Sequence, residues 1–165
     1  MSTGRSIKQL KPRIGGRTKQ GYYDISRSTK YFGPRPCIYR SSWEWKYMLL
    51  CERSENIMKW SSEPFTIPYL CLETGRTRQY NLDFYVITDK NEHQLIEIKP
   101  LKEVSEAEQF GKVFKLIIDP VAKKRYVMSN KVAAKNWSKW RHTKQFCKER
   151  DWRFVIVTER FLNKL

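Results

Sequence analysis

Apolar residues recur along the chain at two different spacings. Trp43, Tyr47, Leu50 and Cys51 follow the three-to-four-residue interval of a helix face, which predicts a helix over residues 41–53 with Ser41 or Ser42 able to cap its first turn. Residues 65–72 and 78–88 are rich in β-branched and apolar side chains and are separated by the turn signal Thr74-Gly75-Arg76, so both read as strands. A third strand is expected over 93–99, after the polar turn Asp89-Lys90-Asn91-Glu92 and before Pro100, which stops it. The connections are too short for parallel crossovers, so these three strands are expected to form an antiparallel meander.

Helical spacing returns at Val104, Ala107, Phe110 and Phe114, giving an expected helix over 103–118 that Asp119-Pro120 breaks. Asn130 is then expected to cap a long helix over 131–150, with Val132, Ala133, Trp137, Trp140 and Phe146 at its apolar positions. Asp151 leads into a last strand over 152–157. The fold class is therefore α/β in an α+β arrangement: helix, meander, helix, further strand. Trp60, Tyr69, Trp137 and Trp140 fit the apolar stripes and are expected in the core. His142 lies among polar neighbours, is expected to be exposed, and receives no role.

Residues 1–36 follow neither spacing. Gly4, Gly15, Gly16, Gly21, Gly33, Pro12, Pro34 and Pro36 are mixed there with nine basic residues and a single acid, Asp24. This reads as a basic N-terminal arm over 1–36, followed by one domain over 37–165. The arm suits either DNA or a protein partner.

Composition sharpens this picture. The 165 residues are 40% hydrophobic and 14% aromatic, enough for one core. Against 17 acids stand 33 Lys and Arg, a net charge of +16, which favours a polyanionic partner because each neutralised phosphate releases condensed counterions. No apolar run approaches a membrane span, and the first twenty residues lack the apolar centre of a secretory signal. Cys37, Cys51, Cys71 and Cys147 are scattered and only two histidines, His93 and His142, accompany them, so zinc is rejected and free, buried thiols are expected.

Candidate chemistry lies in Tyr80-Asn-Leu-Asp83-Phe and, one turn later, Leu95-Ile-Glu97-Ile-Lys99. An acid inside an apolar strand is costly unless paired or bound to a metal. Alternation places Glu97 and Lys99 on one face, and an antiparallel neighbour brings Asp83 beside Glu97. Hard carboxylate oxygens suit Mg²⁺ or Mn²⁺, and a lysine next to the ion can orient or deprotonate water or offset charge on the phosphorane. Glu44, on the helix before the sheet, is the natural fourth group. The bland alternative, a surface ion pair of Glu97 with Lys99, leaves Asp83 between Leu82 and Phe84 unexplained. DNA-phosphate contacts are expected from Arg40, Lys46, Lys135, Lys139, Arg141 and Lys144.

These residues resemble a known family. Helix with Glu, meander with Asp and then Glu-x-Lys, helix, strand is the core order of the PD-(D/E)xK, or restriction-endonuclease-like, nucleases. Ser41-Ser-Trp-Glu44, Tyr80-Asn-Leu-Asp83-Phe84 and Glu97-Ile-Lys99 are similar to the motifs of the transposon end-cutting nucleases of heteromeric bacterial transposases, with Leu82 where those carry proline. Tyr39-Arg-Ser-Ser-Trp-Glu-Trp-Lys-Tyr-Met, Lys59-Trp-Ser-Ser-Glu-Pro, Ile67-Pro-Tyr, Leu95-Ile-Glu-Ile-Lys-Pro and Trp152-Arg-Phe-Val-Ile-Val-Thr-Glu resemble the head-completion proteins of contractile-tailed bacteriophages. The resemblance implies that Asp83 and Glu97 ligate the metal with the Ile98 carbonyl, that Lys99 is the catalytic lysine, and that Glu44 is an accessory acid and metal-site residue. It also implies double-stranded DNA as substrate, portal or neck proteins as partners, and action in the host cytoplasm during virion assembly or within the virion. A second class of function stays open: a DNA-end- or portal-binding protein that keeps the fold without cutting. An RNA-binding module is disfavoured, since no aromatic RNP strand is present. Oligomeric state is not set by these features.

Overall fold

The computed structural model describes residues 19–165. Residues 1–18, half of the expected arm, lie outside the described residues. The chain that follows them packs on the domain: strand β1 (Gly21–Tyr22) pairs antiparallel with β2 (Ile38–Tyr39), and Ile25 and Tyr31 are buried in the main core. The Tyr31 ring meets Trp60 edge-on at 4.6 Å. Lys30 reaches the next helix, α1 (Ser42–Arg53), where its Nζ donates to the Ser54 carbonyl at 2.7 Å and that of Glu52 at 3.1 Å, satisfying carbonyls that a helix end leaves without partners. Glycines, prolines and charge set the expected extent of the arm, whereas its few apolar side chains set where the packing begins.

After α1 come β3 (Ile57–Ser62), β4 (Thr66–Cys71), β5 (Arg76–Asn81), β6 (Phe84–Thr88) and β7 (His93–Ile98). Helices α2 (Leu101–Leu116), α3 (Pro120–Ser129) and α4 (Lys131–Lys148) lead to β8 (Arg153–Val157) and a last short helix, α5 (Glu159–Leu162). The main sheet runs β3-β6-β7-β8, with β8 parallel to β7 and the other pairs antiparallel. This is the mixed α/β, restriction-endonuclease-like arrangement expected.

The meander, however, is built from other strands than expected. Its first member is β3, which the apolar pattern missed because Lys59, Ser61 and Ser62 are polar although both serines are buried. Residues 65–72 form β4, which pairs with β5 in a separate two-stranded hairpin inserted between β3 and β6. The expected strand over 78–88 is therefore two strands in two sheets, broken at Leu82-Asp83. Asp119-Pro120 does end α2, but it also starts α3: Asp119 accepts from Ala122 N at 2.6 Å as the cap, and proline fits the first turn where no N–H is needed. Asn130 does not cap α4 through its side chain; its amide donates back to the Tyr126 carbonyl at 2.9 Å.

The two faces of the sheet are covered differently. On one, Tyr47, Met48 and Cys51 of α1 pack against Trp60, Phe84, Val86 and Ile96. On the other, the β4–β5 hairpin and α4 bury Ile67, Tyr69, Tyr80, Leu82, Leu95 and Cys147. A smaller core of Phe110, Val127 and Ala134 joins α2, α3 and α4. Trp60, Tyr69 and Trp140 are buried as expected and Trp137 is half-buried; His142 is also half-buried, its Nδ1 bonded to the Ser138 carbonyl at 2.8 Å. All four cysteines are free and buried. Among the described residues no helix is long and apolar enough to cross a membrane.

Close contact between α2 and α4 depends on Gly111, because a Cβ there would stand 2.1 Å from Trp137 Nε1. Alanine at an ordinary helix position gains up to about 1 kcal/mol over glycine. Here overpacking reverses the sign, and Gly111→Ala is expected to cost about 1–3 kcal/mol, read as a lower melting temperature.

Candidate active site

The register of the sheet makes the site. Phe84 pairs with Ile96, so one step further along the same ladder places Asp83 opposite Glu97. The Ile98 amide donates to Asp83 Oδ2 at 2.7 Å, which fixes the carboxylate at the break between the two sheets. Glu63, at the end of β3, holds the same corner from the other side. Its amide donates to the Asp83 carbonyl at 2.9 Å, its backbone sits in the left-handed region at φ 44°, and its carboxylate pairs with Arg40 Nε at 2.6 Å.

Glu97 is only 3% exposed, and its Oε1 lies 3.7 Å from Lys99 Nζ. Neither its Oε2 nor the buried indole Nε1 of Trp140 makes a hydrogen bond of normal geometry, although the indole lies close enough to favour the carboxylate. Burial first, and then the charge of Asp83, push the Glu97 carboxyl well above its ordinary range; Lys99, Lys139 and Trp140 pull the other way. Burial likewise raises Asp83, against the Ile98 amide and the two lysines. A buried carboxylate oxygen without a well-formed hydrogen bond, beside a second carboxylate, is what a hard divalent cation compensates. Asp83 and Glu97 fit such an ion.

Glu44 stands beside this pair. Ser41 caps α1 by accepting from Glu44 N at 3.1 Å, while Glu44 Oε2 takes the Arg40 amide at 2.8 Å and Oε1 the Ser41 hydroxyl at 3.1 Å. Ser-x-x-Glu is thus a variant of the capping box, in which Glu44 takes the amide of the residue before the cap, and it also carries a site residue. Burial, then Asp83, raise the Glu44 carboxyl to about 7. Among the described residues no three His, Cys, Asp or Glu side chains are grouped to hold a metal ion, so Glu44 does not join Asp83 and Glu97 in one ligand cluster. The reason is the face of the sheet. Helix α1 covers the side of Phe84 and Ile96, whereas alternation turns Glu97 and Lys99 toward the side of α4.

The expected DNA contacts separate. Lys135, Arg141 and Lys144 are exposed on α4, with Arg141 5.5 Å from the centre of the Trp137 ring. Arg40 is drawn into the pair with Glu63 at the site's edge, and Lys46 donates to the Leu162 carbonyl at 3.3 Å, tying α1 to α5. Lys139 is half-buried at the site itself. Sequence reasoning gave no role to Glu63 and Trp140. Glu63 lies within the segment Lys59-Trp-Ser-Ser-Glu-Pro, but only the folded corner places it against Asp83.

A family model described as the TnsA-like endonuclease N terminal matches residues 54–159, which include Asp83, Glu97 and Lys99. The head completion nuclease of Enterobacteria phage T4 is 31% identical over 138 residues, covering 83% of this chain and 89% of that protein. No solved structure gives a significant match. A match over this much of the chain settles the family: the chain belongs to the TnsA-like endonucleases.

Proposed function

We propose that the chain is a metal-dependent deoxyribonuclease that hydrolyses phosphodiester bonds of double-stranded DNA during phage head completion, after the genome is packaged. The observation that carries the reading is the buried Glu97 carboxylate, whose Oε2 has no well-formed hydrogen bond, directly opposite Asp83. Mg²⁺ or Mn²⁺ would be held by Asp83, Glu97 and the Ile98 carbonyl, where it would polarise the phosphate and make bound water more acidic.

The chain's own groups supply the rest. Lys99 is 27% exposed, so its ammonium reaches solvent while staying 3.7 Å from Glu97; it orients the attacking water and offsets charge that develops on the phosphorane. The Ile98 amide keeps Asp83 from rotating away from Glu97. Glu44 fixes the first turn of α1 and adds negative charge behind Asp83. The net charge of +16 draws the duplex in, with Lys135, Arg141 and Lys144 of α4 as phosphate contacts. The head-completion setting rests on the name of the phage T4 relative. Portal or neck proteins are the partners that this setting implies, and the infected cell's cytoplasm or the virion its location.

The test is incubation with linear and with circular plasmid DNA, in Mg²⁺, in Mn²⁺ and in EDTA. Cleavage that EDTA abolishes supports the proposal, and the linear-to-circular ratio separates end trimming from internal cutting. Tight binding without cleavage in any metal would favour a DNA-end-binding protein with a nuclease fold.

A further inference from the structure

Helix α4 brings a second lysine into the site, and its surroundings differ from those of the basic residues around it. Lys139 Nζ lies 4.6 Å from the centre of the Tyr80 ring and 5.8 Å from that of Tyr69. The helix is pinned there. Tyr80 Oη and Thr143 Oγ1 are 3.1 Å apart, Thr143 Oγ1 donates to the Lys139 carbonyl at 2.9 Å, and Ser138 Oγ donates to the Leu70 carbonyl at 2.6 Å. Lys139 is thereby set over the hairpin's tyrosines, whereas Lys135 and Lys144 are exposed.

Among the described residues its ammonium has neither a hydrogen-bond acceptor nor a carboxylate within ion-pair distance. It is nevertheless half-buried and feels the charges of Glu97, Lys99, its helix neighbour Lys135, and Asp83. An ammonium carries three N–H donors, and at Lys139, which keeps some contact with solvent, they stay open to an acceptor that arrives with the substrate. The two tyrosine faces stabilise the cation but accept no full hydrogen bond. The acceptor that suits this cation is an anionic oxygen on the side of the sheet where Asp83, Glu97 and Lys99 converge.

We infer that Lys139 is a second active-site ammonium, which takes a nonbridging oxygen of the DNA phosphate held beside Asp83 and Glu97 and so positions that phosphate for attack. The assignment rests on the nuclease reading above and deepens it: Lys139 belongs with Lys99 rather than with the outer phosphate contacts of α4.

A contact at the reacting phosphate and one on the outer backbone differ in kinetics. An outer contact changes affinity almost uniformly, whereas one at the reacting group changes the rate once DNA is bound. The experiment measures single-turnover cleavage at saturating DNA, and Kd for the same duplex in Ca²⁺, for wild type, Lys139→Met, Lys139→Arg and Lys90→Met. Lys90 lies in the exposed turn after β6, and its variant controls for the loss of one charge. Lys139→Met keeps the length and apolar stem of the side chain, so a merely structural role predicts an unchanged rate. The expected result is a rate about 10²-fold lower with Kd changed by less than about threefold. Lys139→Arg should recover to within about tenfold of wild type, because it keeps the charge in a different geometry. Lys90→Met should match wild type in both. If the methionine variant cuts at the wild-type rate, or its loss lies wholly in Kd, the assignment fails. Should that variant not fold, an arginine variant that folds and cuts no better than about 10²-fold below wild type also overturns it. A wild-type protein inert in Mg²⁺ and Mn²⁺ overturns the nuclease reading, and this assignment with it.

Discussion

Asp83→Asn is expected to lower the rate of DNA cleavage by at least about 10³-fold while leaving the fold intact. Asparagine has the same shape, and its carbonyl oxygen can still accept from the Ile98 amide, the bond that holds this side chain at 2.7 Å. What disappears is one negative charge directly opposite Glu97. A divalent cation held there by two carboxylates and a backbone carbonyl would have one charged ligand in place of two, and the phosphate would lose its Lewis-acid partner. Glu97→Gln should behave in the same way, because Glu97 is the more deeply buried of the pair and its Oε2 has no well-formed hydrogen bond among the described residues. The two substitutions together should cost little more than either alone, as for residues that act as one unit. Plasmid cleavage in Mg²⁺ and in Mn²⁺, followed by gel, reads the rate, and thermal melting confirms folding. A folded Asp83→Asn protein that cuts as fast as wild type would move the active site elsewhere in the chain.

Much of this site was legible in the sequence, because two carboxylates in apolar strands violate the pattern around them. Asp83 and Glu97 stand out against Leu82, Phe84, Ile96 and Ile98 whatever the order of strands in the sheet. Period-two alternation then places Glu97 and Lys99 on one face without knowledge of the neighbouring strand. The strand order was not legible in the same way. Ile57–Ser62 buries Ser61 and Ser62 although both are polar, so its pattern reads as a loop; and 78–88 reads as one strand because a switch between two sheets costs no change in composition. The corner at Asp83 is made by partners distant in sequence, the Glu63 amide and the Ile98 amide, which no local signal announces. Lys139 was hidden for another reason. On a helix rich in lysine it looks like one more phosphate contact, and only the packing of α4 on the Tyr69–Tyr80 hairpin separates it from Lys135 and Lys144.

The metal-free protein is expected to lose stability as pH rises from about 5 to 8, opposite to what salt-bridged carboxylates produce. Burial raises the carboxyls of Glu44, Asp83 and Glu97 above their ordinary values, and for Glu44 the shift is from 4.5 to about 7. With folded-state values raised, the native protein binds more protons than the unfolded chain through this range, so the slope of stability against pH is negative. The contribution is complete below the unfolded value near 4.5 and is lost as pH passes the folded value; for Glu44 it amounts to at most about 3 kcal/mol. Lys139 is shifted down from its ordinary value by burial and gives the opposite slope, but in the alkaline range of a lysine. Melting temperatures in EDTA at pH 5, 6, 7 and 8 measure the effect. Glu44→Gln should flatten part of the decline and melt higher than wild type at pH 8, because it replaces a disfavoured charge by a neutral amide of the same shape. Mg²⁺ should stabilise the wild type far more at pH 8 than at pH 5, since the ion competes with protons for Asp83 and Glu97. A melting temperature that is flat or rising across this range in EDTA would mean that the three carboxyls are already ionised and well solvated, and that nothing in the site calls for a cation.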